Sequence, residues 1–206
     1  MRGCVLSSYH VAGCGKATYT KAMNEQVFVS RMFSWASGSE LVQGVVVFLA
    51  EPFTWISAVL VLAVTLLRSK DSRVMLRAWG AVAIAVVLSR GFSTEGIRLL
   101  WHRARPFEVL PITSLLAHEP TGAFPSGHAA FLFAIAFSLL PYSRWAGWTL
   151  FFVALLNGIA RVAAGLHWPT DVLGGMVVAA VSAVIVHAGL RLERQRRSQS
   201  ANTKER

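Results

Sequence analysis

Five long apolar segments dominate this chain and restrict it to folds in which most helices lie in a membrane. They cover approximately residues 41–67, 74–88, 129–140, 145–160 and 172–190. A bilayer offers no water to pair with backbone polar groups, so such segments form helices rather than exposed loops. Because 54% of the 206 residues are also hydrophobic, we predict an all-α fold. The expected architecture is a polytopic membrane bundle with about five transmembrane spans.

The N-terminal region is predicted to differ from the bundle. Residues 1–22 lack hydrophobic periodicity and the core of a signal peptide, so we interpret them as disordered or as a mis-assigned upstream extension. From Met23 to about Glu40, apolar residues recur among polar ones, which predicts a helix in the membrane interface. Residues 23–190 are then one membrane domain, and residues 191–206 are a basic tail.

Positive charge predicts the orientation of the spans. Eleven of the twenty Lys and Arg residues lie in the 68–77 link, at Arg144 or in the tail, all on one side of a five-span bundle. The positive-inside rule makes that side cytoplasmic, C-terminus included. Segments 90–125 and 161–171 then face the extracytoplasmic side of a bacterial inner membrane. The net charge of +10 suits anionic membrane lipids, and no basic aromatic face suggests nucleic acid as a partner.

Polar residues that are costly near a bilayer form three short clusters, each at the edge of an apolar run. The clusters are Arg98 with Arg105-Pro106, then Pro125-Ser126-Gly127-His128, then Arg161 with His167 and Asp171. The topology puts all three on the outer face, which predicts one assembled site. Arginine carries a planar fork of donors that matches phosphate oxygens, so three arginines favour a phosphoryl group as the ligand.

The second and third clusters contain the groups that phosphoryl transfer requires. Ser126 is a natural N-cap and Gly127 allows close approach, so the helix that begins here presents backbone amides to an anion. Asp171 follows His167 by about one helical turn and can fix the tautomer of its ring. The other ring nitrogen is then free to act as a nucleophile. His128 would supply the general acid.

Some of these residues allow a second interpretation. Two histidines and an aspartate could bind a metal ion, but the neighbouring arginines would repel a dication, so no metal is predicted. Arg103 lies outside the spacing of the clusters, and we interpret it as a side chain that reaches lipid headgroups. Glu51, inside the first apolar run, is either functional or bonded to backbone that Pro52 frees at a kink.

Taken together, the clusters resemble the three-part signature of the type-2 phosphatidic acid phosphatase superfamily. The matching spacing is Arg98-x6-Arg105-Pro106, then Pro125-Ser126-Gly127-His128, then Arg161-x5-His167-x3-Asp171. The resemblance implies a helical bundle that hydrolyses phosphate esters or diphosphates without a metal or other cofactor. It implies His167 as the nucleophile, Asp171 as its partner and His128 as the acid. The implied phosphate-binding residues are Arg98, Arg105, Ser126, Gly127 and Arg161.

Two positions depart from the usual signature of that superfamily. The first motif usually begins with Lys, where this chain has Arg98, and Ser usually precedes the third-motif Arg, where this chain has Ala160. Both changes keep the charges that a phosphoryl group needs. We therefore expect the reaction to survive, and the rate or substrate preference to be what these positions affect.

Within the superfamily, the chain is most similar to undecaprenyl diphosphate phosphatases of the bacitracin-resistance type. The similarity is carried by the short length, Phe48-Leu49-Ala50-Glu51, Trp101-His102, Arg105-Pro106-Phe107 and Gly122-Ala123-Phe124-Pro125. Members often have Asp at the position of Gly127. The implied reaction is hydrolysis of a lipid diphosphate to its monophosphate through a phosphohistidine, with Glu51, Trp101 and His102 as further substrate or structural residues. Phosphatidate, phosphatidylglycerophosphate and lipid A are alternative substrates, and a non-catalytic lipid-binding or transport protein is the alternative class.

Overall fold

The computed structural model describes residues 16–68, 71–119 and 121–204, and within these ranges it is helical and without β-strands. The helices are α1 Lys16–Ala36, α2 Glu40–Ala50, α3 Pro52–Arg68, α4 Ser72–Val86, α5 Glu95–Leu100, α6 Pro106–Val109, α7 Gly127–Leu139, α8 Arg144–Ala163 and α9 Pro169–Lys204. A π-helical segment, Val87–Thr94, joins α4 to α5. The predicted all-α class is confirmed. Of the N-terminal stretch predicted to be disordered or mis-assigned, residues 1–15 lie outside the described residues.

Three helices of the described chain are long and apolar enough to cross a membrane: Ser72–Leu100, Arg144–Ala163 and Pro169–Ser200. The pair Met23–Ala36 and Glu40–Ala50, bent by 117°, is a fourth candidate if it counts as one broken span. Helices α3 and α7 are apolar but only 17 and 13 residues long. The chain is therefore a multi-pass membrane protein with three or four candidate spans, and the predicted number of about five is not confirmed.

The first apolar run is not one continuous helix, because a helix break at Glu51 divides it. Glu51 ends α2 with φ −128° and ψ −76°, and Pro52 begins α3. Proline lacks an amide hydrogen, so it is tolerated at the start of a helix but not inside one. Asn157 on α8 holds the break, since its Nδ2 donates to the carbonyl oxygens of Leu49 and Ala50, each at 2.9 Å.

Helix α7 lies at the centre of the bundle and packs mainly against α8, α9 and α4. Its side chains are buried on nearly all sides, which suits a helix that is apolar all round. Gly175 lets α9 approach the start of α7, because a Cβ atom there would lie 2.6 Å from the carbonyl oxygen of Ser126. The amide of Ser126 also donates to the carbonyl oxygen of Asp171 at 2.9 Å. The second and third clusters therefore meet at one end of the bundle.

A short turn returns the chain from α8 to α9 at that same end. Gly165 has φ +76°, a left-handed conformation that glycine adopts without steric cost after a helix C-terminus. Its amide donates to the carbonyl oxygen of Val162 at 3.0 Å. Only residues 164–168 separate the two helices. Arg161, near the end of α8, and His167, just before α9, are thus held close together.

Candidate active site

His167 and Asp171 form a buried pair at the start of α9. Nδ1 of His167 lies 3.5 Å from Oδ2 of Asp171, and the residues are 1% and 0% exposed. The same carboxylate oxygen accepts the backbone amide of Trp168 at 2.8 Å, which fixes its orientation. A carboxylate in this position favours the tautomer with hydrogen on Nδ1 and leaves a lone pair on Nε2.

The environment of His167 keeps its imidazole neutral near pH 7. Burial lowers the pKa of His167 well below its ordinary value, and the positive charges of Arg161, Arg105 and Arg98 lower it further. Nε2 lies 3.4 Å from Nη1 of Arg105. A neutral ring whose lone pair faces a guanidinium group is suited to attack a phosphorus atom that the same guanidinium holds.

Arg105 and Arg161 are buried cations, each 1% exposed. Arg105 donates from Nε and Nη2 to the carbonyl and hydroxyl oxygens of Thr121 at 2.9 and 3.0 Å. Arg161 donates from Nη1 to the carbonyl oxygen of Ala50 at 3.0 Å. Burial lowers the pKa of Arg105 to about 10, helped by the positive charges of Arg98 and Arg161. Both cations remain charged near pH 7 and need anionic partners.

Glu51 reaches this cluster from the break between α2 and α3. Its Oε2 lies 3.3 Å from Nη1 of Arg161, and its Oε1 lies 3.9 Å from Nε2 of His128. The ring of His128, on the first turn of α7, also meets the edge of Trp55 at 6.1 Å between centroids. Of the two interpretations that the sequence left open for Glu51, the geometry favours a functional one, because the carboxylate faces site residues.

The start of α7 presents donors to the same space. Ser126 caps the helix as predicted, and its hydroxyl accepts the amide of Ala129 at 3.5 Å. Arg98 lies alongside and donates from Nη2 to the carbonyl oxygen of Pro125 at 3.1 Å. The Nε groups of Arg98 and Arg161 are buried and have no hydrogen-bond partner among the described residues. Buried donors without partners are rare, and an anion such as a phosphoryl group would satisfy them.

Arg103 does not reach toward headgroups, so that interpretation is wrong. Its Nη1 donates to Oδ1 of Asp171 at 2.6 Å, and its Nη2 donates to Oε2 of Glu25 at 2.8 Å. Its guanidinium also lies over the ring of Trp168, 5.5 Å from the centroid. The missed signal was the Arg-x-Arg spacing, because alternate residues of an extended segment point the same way and Arg105 was already assigned to the site. Glu25 gave no comparable signal.

Arg90 is another cation that the three clusters left out. It lies in the π-helical segment and pairs with Glu95, which also contacts Arg98 at 3.3 Å. A Cβ atom on Gly127 would lie 2.7 Å from Nε of Arg90. Interruptions of this π-helical kind occur frequently at functional sites. Arg90 therefore borders the phosphate-binding region predicted at the start of α7.

Trp101 and His102 lie in the exposed segment after α5 rather than in the buried cluster. The ring of Trp101 packs against Phe124 with centroids 5.2 Å apart. His102 lies beside Gly122, where a Cβ atom would be 3.9 Å from its ring. In the described part of the chain, no group of three or more His, Cys, Asp or Glu side chains is arranged to hold a metal ion.

Comparison with known proteins relates this arrangement to one family. Residues 75–194 match the PAP2 superfamily. Undecaprenyl-diphosphatase BcrC of Bacillus subtilis is 30% identical over 77% of this chain and 80% of its own length. The bacitracin transport permease protein BcrC of Bacillus licheniformis is 31% identical over 69% and 68%. The crystal structure of Aquifex aeolicus LpxE has a similar fold, with a TM-score of 0.57 and 21% identity over 77% of this chain and 93% of that one.

Proposed function

This chain belongs to the PAP2 superfamily and is a phosphoric ester hydrolase, and we propose that its substrate is undecaprenyl diphosphate. The product would be undecaprenyl phosphate. The observation that carries the proposed reaction is the position of His167, whose Nδ1 faces Asp171 while its Nε2 faces Arg105. A relative named undecaprenyl-diphosphatase, aligned with 77% of the chain, supports this choice of lipid.

In the proposed reaction, Nε2 of His167 attacks the terminal phosphorus of the diphosphate. The bond from that phosphorus to the bridging oxygen breaks, and His128 donates a proton to the oxygen as undecaprenyl phosphate leaves. Water then attacks the phosphohistidine while His128 accepts its proton, which releases inorganic phosphate and restores His167. Asp171 stabilises the positive charge of the ring, and the arginines of the clusters bind the charge on the phosphoryl oxygens. No step requires a metal or other cofactor.

The substrate assignment is tested by comparing lipids on the purified protein in detergent with a chelator present. The panel contains undecaprenyl diphosphate, phosphatidate, phosphatidylglycerophosphate and lipid A, and the measurement is kcat/KM for phosphate release. We expect the highest value for undecaprenyl diphosphate. Preference for another lipid would replace the substrate, and loss of activity with chelator would contradict metal independence. Lipid binding without phosphate release would favour the non-catalytic class.

We also propose that the site faces the outer leaflet of the bacterial inner membrane and that the C-terminal tail is cytoplasmic. The support is the distribution of Lys and Arg, eleven of twenty of which the predicted five-span topology puts on the side opposite the site. A cytoplasmic reporter fused after Leu190 should be active, and a periplasmic reporter at the same position should be silent. The reverse result would place the site on the cytoplasmic side.

A further inference from the structure

A closed ring of hydrogen bonds ties α1 to the start of α9. Arg103 joins the two carboxylates of Glu25 and Asp171 through Nη2 and Nη1, at 2.8 and 2.6 Å. The other oxygen of Glu25, Oε1, accepts from the amide and the hydroxyl of Thr170 at 3.1 and 2.7 Å. The hydroxyl of Thr170 in turn accepts from Nη1 of Arg103 at 2.6 Å. Glu25 and Arg103 are thus each held at more than one point.

The two carboxylate oxygens of Asp171 have different partners. Oδ2 faces His167 and the amide of Trp168, whereas Oδ1 is taken by Arg103. A fully buried carboxylate is expensive to keep ionised, and a hydrogen-bonded guanidinium reduces that cost. Because both oxygens are engaged, the carboxylate cannot rotate away from the ring of His167 without breaking a charge-assisted bond.

The net charge of Asp171, Arg103 and Glu25 together explains why a second carboxylate is needed. Asp171 and Arg103 alone sum to zero, and a neutral pair would do little for the positive charge that develops on His167 when it bonds to phosphorus. Glu25 adds one negative charge, and its side chain is only 14% exposed, so water screens it weakly. With Glu25, the group behind His167 carries a net charge of −1.

We propose that Glu25 is a positioning residue of the reaction, acting through Arg103 on the carboxylate of Asp171. The inference rests on the proposed function, since it assumes that His167 carries the phosphoryl group. Through Glu25, helix α1 would then contribute to positioning the catalytic pair His167 and Asp171. Glu25 acts on the charge that forms during the chemical step, so its removal should lower kcat and leave KM nearly unchanged.

The test is Glu25→Gln, which keeps the shape of the side chain and removes its charge. We expect kcat to fall about tenfold, the size typical for partners that orient a reacting group, while KM changes by less than about twofold. Glu25→Asp keeps the charge and should recover most of the lost kcat. Glu40→Gln, the same change at an exposed residue at the start of α2, is the matched control and should behave as wild type.

Each outcome decides between distinct conclusions. Unchanged kcat in Glu25→Gln, or a raised KM with kcat intact, would overturn the positioning role. If Glu25→Gln does not fold in detergent, Thr170→Val removes the hydroxyl that donates to Glu25 and accepts from Arg103 while it keeps the shape of the side chain. Its kcat should fall about twofold to threefold. Wild-type kcat in that folded variant would also overturn the role. An inactive wild-type protein would instead refute the proposed function.

Discussion

The candidate site has two halves of opposite charge that come from different parts of the chain. One half, from α5 to the start of α9, supplies His128, His167 and the cations. The other half, from the N-terminal third, supplies carboxylates: Glu25 on α1 and Glu51 between α2 and α3. The groups predicted to contact phosphate lie in short motifs, whereas Glu25 and Glu51 lie far from their cationic partners in sequence.

This difference follows from what each half must do. A phosphoryl group fixes the relative positions of the residues that bind and attack it, so their spacing within short motifs is constrained. A counter-charge only has to lie within a few ångströms of a buried cation, and any helix that packs nearby can carry it. Glu51 meets Arg161 110 residues further along, and Glu25 meets Arg103 78 residues further along.

Replacing His167, the proposed nucleophile, should have the largest effect, because the basic half is predicted to carry out the reaction. His167→Ala should abolish phosphate release, by a factor of at least about 10⁴ in kcat, because the proposed mechanism assigns the covalent intermediate to this residue alone. His187→Ala, at a half-buried residue about halfway along α9, is the matched control. Activity that survives in His167→Ala would remove this residue from the nucleophile role.

Neutralising a carboxylate of the other half should have an intermediate effect. Glu51→Gln leaves Arg161, which is 1% exposed, without its acidic partner and removes the carboxylate that faces His128. We expect kcat/KM to fall about tenfold, as for other groups that orient reacting residues. Glu40→Gln serves again as the control. An unchanged kcat/KM would mean that Glu51 has only a structural role. Of the two distant carboxylates, only Glu25 could then contribute to the reaction.

Adding an acidic group inside the basic half should have a smaller effect. In Gly127→Asp, the new Cβ would meet only the flexible end of Arg90, at 2.7 Å from Nε, which can move aside. The added charge repels the substrate by ~1 kcal/mol, so KM should rise about fivefold while kcat stays nearly constant. Gly127→Ala introduces the same Cβ without charge. A similar KM in both variants would show that the effect comes from displacement of the Arg90 side chain by the new Cβ atom rather than from the added charge.

Lowering the pH from 7.5 to 6.5 should have the smallest effect on kcat/KM. An ordinary histidine would be half protonated at pH ~6.5, but the pKa of His167 is lowered by burial, so its neutral form persists below that pH. The value of kcat/KM, corrected for ionisation of the diphosphate and of the proposed acid His128, should therefore fall by less than about twofold between pH 7.5 and pH 6.5. The charged or titratable groups around His167 are Asp171 on α9, Arg161 on α8, His128 on α7, Arg98 on α5, and Arg105 and His118 on the connecting segments. A steeper loss would show that their combined field does not keep the ring neutral.

Sequence reasoning named the residues of the basic half and also Glu51, but it missed Glu25 for a physical reason. Motif spacing and helix capping are local, and Ser126 does cap α7 as predicted. The pairing of Glu25 with Arg103 depends on how α1 packs, which no local pattern contains. Arg103 itself was within reach, because it is two residues from Arg105 in an extended segment.

The predicted number of about five spans is not confirmed, for a related reason. Hydropathy treats residues 41–67 as one run, but the break at Glu51 and Pro52 separates α2 from α3. An apolar run predicts that a segment is buried in lipid or protein, and its length predicts a span only if the helix is continuous. The residue that breaks the run is also the one that delivers a carboxylate to the site.

The bonds between Glu25 and Thr170 have a consequence for biosynthesis. The two residues are 145 positions apart, so a helix made early in translation finds its partner only after the last helix has been made. Until then, Arg103 and Asp171 cannot be paired, and His167 lacks its carboxylate. Under the proposed mechanism, a ribosome-bound chain that ends before α9 would therefore be inert toward lipid phosphates.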